Sequence, residues 1–332
     1  MPSILLLPGD GQGPGAIAAA EAAISAAAEN VEIVRGDIGF SGYEKHGSAL
    51  PHETLDLISG CDAALCGPTS DFNDGDTARN PLEDLIGQLR PYAVSVNYRT
   101  LADDLGARGV DVTVWGCGSS PSSEVSETRG IDGITVSKYI RSTFYARMMD
   151  AAAGDCERDG CVSVACIASP DMFPESSDVF FEAFREAFDR NGTERPCLGV
   201  AEWFSEAYRS PDRFQCLIVA DLCVESVRGA VAGITGRADT APERHTGEFG
   251  SLYTVSKDTG CKNGSDIVSA IDAASHALRD IGETEAAATV AKALGEAVSN
   301  GERPVCMGGA LEPWTFAEKV VARVHSLISG SD

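Results

Sequence analysis

The chain has 332 residues, 43% hydrophobic and 23% charged, with a formal net charge of −24 and only six lysines. That length supports a large core in one or two domains, and the charge excludes nucleic acid as a partner, because phosphate binding needs a basic face. No apolar run reaches the length of a membrane span and no leader peptide is read at the start, so a cytoplasmic location is expected.

Apolar runs alternate with helical patterns along the chain. Ile4–Leu7 reads as a strand, followed by glycines at 9, 11, 13 and 15 and a small-residue helix over Ala16–Ala28. Strands follow at Val31–Val34, Ala63–Cys66, Val94–Val96 and Val112–Trp115. The segment Gly118–Glu127 (GSSPSSEVSE) reads as a flexible loop. A helix is expected over Ser137–Ala153, a strand over Val162–Ile167, a helix over Asp178–Asp189 and a strand over Leu217–Ala220. Arg237–Gly250 reads as a polar, turn-rich stretch, and helices are expected over Ser265–Ile281 and Glu283–Asn300. This alternation specifies an α/β protein with much parallel sheet.

Eleven cysteines are spaced as Cys61-x4-Cys66 and Cys156-x4-Cys161-x4-Cys166, with no histidine at ligand spacing. They read as buried free thiols, and an odd count argues against a disulfide framework.

A strand, a glycine loop and a helix can present backbone N–H groups to an anion. The stretch LLPGDGQGPG is neither the G-x-G-x-x-G fingerprint nor a P-loop, so by itself it is equally a tight turn. It does resemble the N-terminal loop of the isocitrate and isopropylmalate dehydrogenases, the β-decarboxylating family. Asp62–Thr69 (DAALCGPT) resembles the family's D-A-A-L-K-G-P-T strand and turn, and Leu89–Ala93 (LRPYA) sits where the family has L-Y-A-N-x-R-P. Ile134–Arg141 (ITVSKYIR), continuing to Arg147, resembles the helix after the active-site loop. Met307–Ala310 (MGGA), with Phe316 and Val320, is similar to the C-terminal L-G-G-x-A…F…V segment.

The resemblance runs over essentially the whole chain. It implies an isopropylmalate dehydrogenase-like two-domain α/β fold with a parallel-rich sheet and a central cleft. Residues 1–99 plus 250–332 would form the large, nucleotide-side domain, and 100–249 the small domain with the dimer interface. It implies a homodimer, or a heteromer with a catalytically competent relative. It also implies NAD or NADP bound by Gly9, Asp10, Gly11 and Gly13 with Tyr253, Asp258 and Asn263.

The family oxidises a 2-hydroxy acid and then removes CO2, which requires arginines for carboxylates, a divalent metal on aspartates, and a lysine and a tyrosine for protons. In this chain, aligning Arg79 with the substrate-loop arginine puts Ile86 and Val96 where two further arginines belong. The strand Asp111–Trp115 leads into Gly116–Pro121 instead of R-E-N-T-E-G, with no arginine between Arg108 and Arg129 and no tyrosine between Tyr98 and Tyr139. The family's H-K-A-N becomes an Ile-Ala-Ser-Pro run, and no lysine occurs between Lys138 and Lys257. In Asp221–Gly229, Glu225 falls on the first metal-binding aspartate, Gly229 on the second, and Arg228 beside the gap.

These departures leave a pseudoenzyme, acting as a regulatory or binding subunit, as the expected function, with no Mg2+ site beyond the weak candidates Asp221 and Glu225. The alternative is a repurposed oxidoreductase or other enzyme acting on a less charged substrate. It would recruit Arg79, Tyr98, Cys117, Asp221 or Glu225, Cys117 being set between two glycines at a strand end. An ordinary dehydrogenase of the family is the weakest reading, because each lost charge partner costs several kcal/mol.

Overall fold

The computed structural model describes residues 1–73, 78–118, 125–139, 142–188, 195–255 and 264–330. In chain order the elements are β1 (Ser3–Leu7), α1 (Gly13–Ala27), β2 (Glu32–Arg35), α2 (Phe40–His46), α3 (His52–Gly60), β3 (Ala63–Cys66), β4 (Phe72–Asn73), β5 (Ala78–Arg79), α4 (Pro81–Leu89), β6 (Ala93–Arg99) and β7 (Asp111–Cys117). A hairpin, β8 (Val125–Arg129) and β9 (Ile134–Lys138), precedes α5 (Thr143–Arg158), β10 (Val164–Ala168), α6 (Pro174–Phe188), β11 (Cys197–Gly199), α7 (Val200–Arg209), β12 (Cys216–Val219) and α8 (Val224–Thr235). The chain continues through β13 (Glu243–Gly247), β14 (Gly250–Thr254), α9 (Ser265–Asp280), α10 (Thr284–Ser299) and α11 (Pro313–Ser329).

Ten strands form one sheet in the order β11-β10-β12-β7-β6-β13-β14-β3-β1-β2. Two parallel blocks, β11-β10-β12-β7 and β14-β3-β1-β2, are joined through antiparallel pairings of β7 with β6, β6 with β13 and β13 with β14. The parallel strands are apolar along their length, as strands covered on both faces must be: Ile4, Leu5, Leu6 and Leu7 are all at most 1% exposed. Their side chains alternate between faces. On the front, Leu5, Leu7, Ala64 and Leu252 pack beneath α3 and α4, and Val96, Tyr98 and Val114 pack beneath α7 and α8. On the rear, Ile4, Leu6 and Leu65 meet α1, α9, α10 and α11, and Trp115, Cys166 and Ile218 meet α5 and α6.

Three expectations need correction. The start of the helix expected from Ser137 is strand β9, and Ile134–Lys138 pairs with Val125–Arg129 rather than coiling. The stretch 237–250 is not all turn: Glu243–Gly247 is a central strand between β6 and β14. Residues 125–127 of the expected flexible loop belong to β8. All ten residues of the hairpin strands are exposed, and Val125, Ile134 and Val136 present apolar side chains on one of its faces.

Behind the antiparallel strands the two helical layers are tied by charge. Arg244 on β13 pairs with Asp155 on α5 and, at 2.9 Å, with Asp280 on α9. Arg158 of α5 also reaches Asp280 at 3.6 Å, and Arg279 of α9 reaches Asp159 at 3.2 Å. Arg237, just beyond α8, has a fully buried side chain that pairs with Asp272 at 2.7 Å. Every described cysteine is a free thiol, and no helix among the described residues is long and apolar enough to cross a membrane.

Candidate functional site

Three groups of sequence-selected residues fall in three places. The first is the glycine loop at the carboxyl end of β1. Gly9 and Gly11 have φ of +71° and +59°, a conformation that costs L side chains energy. A Cβ on Gly9 would lie 2.2 Å from the Pro68 carbonyl oxygen, so this glycine lets two loops touch. Asp10 is buried, and its carboxylate accepts from the backbone N–H of Phe40 and of Ser70, each at 2.8 Å. It clamps the loop to its neighbours, with both oxygens occupied. The part of the loop that suits an anion is the first turn of α1, which has no acidic residue and no side-chain cap.

Tyr253 is not a stacking platform. It is 2% exposed in β14 and its hydroxyl donates to Asp280 at 2.8 Å, so burial and Asp280 hold its proton far more tightly than usual. Asp258 and Asn263 lie outside the described residues.

The second group lies on the front of the sheet, over β6 and β13. The Arg228 guanidinium donates to the Val94 carbonyl at 3.1 Å and stands 3.8 Å from Glu225 and 3.7 Å from Glu243. Glu243 approaches His245 at 3.7 Å, and His245 approaches the Thr254 hydroxyl at 3.4 Å. Tyr98 stands in the same field, and burial pushes its phenol up to about 12. Arg228 is 9% exposed and its Nε has no hydrogen-bond partner. Glu243 and His245 were missed in sequence because E-R-H-T-G shows no apolar alternation; only its position between two strands betrays it.

The third group lies at the carboxyl ends of β7 and β12. Three antiparallel pairings separate the two parallel blocks, so these ends point to the sheet edge opposite the glycine loop. Lys138 reaches in from β9 to 3.9 Å from Asp221, and the Cys117 thiol bonds Asp221. Burial, then Asp221, push that thiol well above its ordinary range. The thiol is therefore protonated at neutral pH and is not the activated nucleophile that catalysis needs. Tyr145, Ser169 and Cys223 line a small adjoining pocket. Arg79 is exposed on β5, opposite Phe72 and next to Asn80, which bonds Thr69.

Asp221 and Glu225 do not share a helix face, because α8 begins only at Val224 and Asp221 precedes it. Each carboxylate already has its own cation, Lys138 or Arg228. No group of three His, Cys, Asp or Glu side chains among the described residues is arranged to hold a metal ion.

Comparisons with known proteins agree with this architecture. Residues 3–105 match the family described as isocitrate/isopropylmalate dehydrogenase. The chain is 25% identical to an isocitrate/homoisocitrate dehydrogenase of Thermus thermophilus, over 98% of this chain and 99% of that one. It is 24% identical to a 3-isopropylmalate/3-methylmalate dehydrogenase of Methanocaldococcus jannaschii, over 98% and 99%. Among solved structures it is similar to a β-decarboxylating dehydrogenase of Thermococcus kodakarensis, with a TM-score of 0.85, 19% identity and coverage of 99% and 98%. An isocitrate dehydrogenase of Methylococcus capsulatus gives a TM-score of 0.82 at 22% identity, with coverage of 98% and 100%.

Proposed function

We propose that this chain is a pseudoenzyme of the isocitrate/isopropylmalate dehydrogenase family, whose description its residues 3–105 match, and that it acts as a binding or regulatory subunit. It keeps a nicotinamide dinucleotide site at the glycine loop but not metal-dependent oxidative decarboxylation. One observation carries this reading: the carboxylates of the second and third groups stand beside cations of the same chain, Asp221 3.9 Å from Lys138, and Glu225 and Glu243 3.8 Å and 3.7 Å from the single guanidinium of Arg228. A carboxylate so engaged is a poor metal ligand, and an arginine so engaged is a poor clamp for a substrate carboxylate.

Calorimetry with NAD, NADP and their reduced forms, with and without Mg2+, tests it. Binding should be independent of Mg2+, and isocitrate or isopropylmalate should not turn over. Mg2+-dependent reduction of NAD or NADP with either acid would refute the proposal. Absence of nucleotide binding at millimolar concentration would reduce it to a scaffold without a dinucleotide.

A repurposed oxidoreductase is the second reading. The Glu243–His245 pair favours it, since a carboxylate beside an imidazole can orient a general base. Reduction of NAD by a singly charged 2-hydroxy acid, abolished by His245→Gln, is its signature.

The proposal includes a homodimer, supported by the exposed apolar side chains of Val125, Ile134 and Val136, which share one face of the hairpin with Glu127, Arg129 and Lys138. Light scattering should give twice the chain mass, and Ile134→Asp with Val136→Asp should shift it toward the monomer. An unchanged mass would remove the hairpin from the interface.

A further inference from the structure

On the rear of the sheet, behind β6 and β7, lies a cavity of about 330 Å3 between α5 on one side and α9 and α10 on the other. Its size matches the lower end of small-molecule sites. Three potential donors line it: Arg99 from β6, and His276 and Arg279 from α9. His276 Nε2 and Arg279 Nε are buried and have no hydrogen-bond partner, a costly state for a polar group. Arg99 donates to the Ala291 carbonyl at 3.2 Å. Its nearest carboxylate, Asp272, lies 3.9 Å away and is already held by Arg237 at 2.7 Å. Each of the three therefore has capacity left for an acceptor.

The rest of the lining fixes the kind of acceptor. Trp115, Cys216, Ala287 and Ala291 supply apolar wall, while Asp111, Asp155 and Asp159 bring negative charge to the same cavity. Asp155 and Asp159 are bound to arginines; Asp111 is exposed and its carboxylate accepts from Asn97, at 2.9 Å. A ligand with several negative charges would meet these acids, and a neutral one would leave the donors unmet.

We propose that this cavity is a second binding site, for a small monocarboxylate with an apolar body. Its carboxylate is received by Arg99, His276 and Arg279, and its body lies against Trp115 and the small residues of α10. This site is on the opposite face of the sheet from Arg228 and does not depend on any activity of the residues on the front face.

The test titrates the full-length protein with hexanoate, benzoate, succinate and inorganic phosphate, followed by calorimetry and ligand-observed NMR. Hexanoate or benzoate should bind saturably below about 10 mM, and more tightly than succinate or phosphate. Arg279→Gln removes a donor and should weaken that binding about tenfold. Ala288→Leu, at an exposed position on the rim, should block entry while the melting temperature stays unchanged. No binding of either monocarboxylate, equal binding by both variants, or binding of phosphate alone would each overturn the proposal.

Discussion

Replacing Arg237 with alanine should lower the free energy of unfolding by about 3–5 kcal/mol, the usual cost of removing one partner from a buried ion pair. The side chain is fully buried, and its donors are spent on the Thr240 hydroxyl at 2.9 Å, the Thr240 carbonyl at 2.8 Å and Asp272 at 2.7 Å. Removing it leaves Asp272, itself 3% exposed by side chain, without its hydrogen-bonded cation and with only the looser Arg99, 3.9 Å away, to offset its charge. The double change Arg237→Met with Asp272→Leu should cost clearly less than the sum of the single changes, because no charge is left alone. Urea unfolding of the three variants checks this. A single-variant loss below about 1 kcal/mol would show that the pair is not sealed from water.

The second large effect is on acid stability, and it comes from the same corner of the molecule. Burial pushes the His276 imidazole down to about 4, against the pull of Asp272. An unfolded histidine takes up its proton near pH 6.5. Between about pH 6.5 and 4 the unfolded chain therefore binds a proton that the folded chain refuses, and stability falls as pH falls. The loss over that window is about 3 kcal/mol. Burial would raise the Asp272 carboxyl, but Arg237, His276 and Arg99 override it and hold it at about 2. Its contribution is intact above pH 3.8 and is lost as pH drops through about 2, a separate and lower window. Urea midpoints measured from pH 7 to 4 should slope downward in the native chain and lie flatter in His276→Gln. Parallel slopes for the two proteins would mean that another group governs this range.

The strands buried on both faces were plain from residue order alone: Ala63–Cys66 is found with the bounds read from its apolar run. The glycine loop was equally plain, because only a tight turn requires glycines at 9 and 11. Strand β13 was hidden because it is polar on both faces. Glu243 and His245 serve the front and Arg244 serves the rear, so no hydrophobic period marks it. Hairpin β8–β9 was hidden because all ten of its strand residues are exposed and it carries no inward-facing apolar stripe. The misjudged site residues share another cause. Tyr253 is defined by Asp280, 27 residues on, and Cys117 by Asp221, more than a hundred residues on. Burial and charge partners of that kind are properties of the folded chain, and no local pattern encodes them.

The antiparallel strands β6 and β13 act as a shared partition. Glu243 and His245 stand on one side of it, Arg99 and Arg244 on the other, and alternate residues of a single strand serve both chambers. Arg237 joins the two by donating to the Arg99 carbonyl while gripping Asp272. A ligand in the rear cavity and one held by Glu243 or His245 on the front would therefore be bound by reciprocity. Whatever factor an occupant behind the partition applies to affinity in front of it, the front occupant must return undiminished.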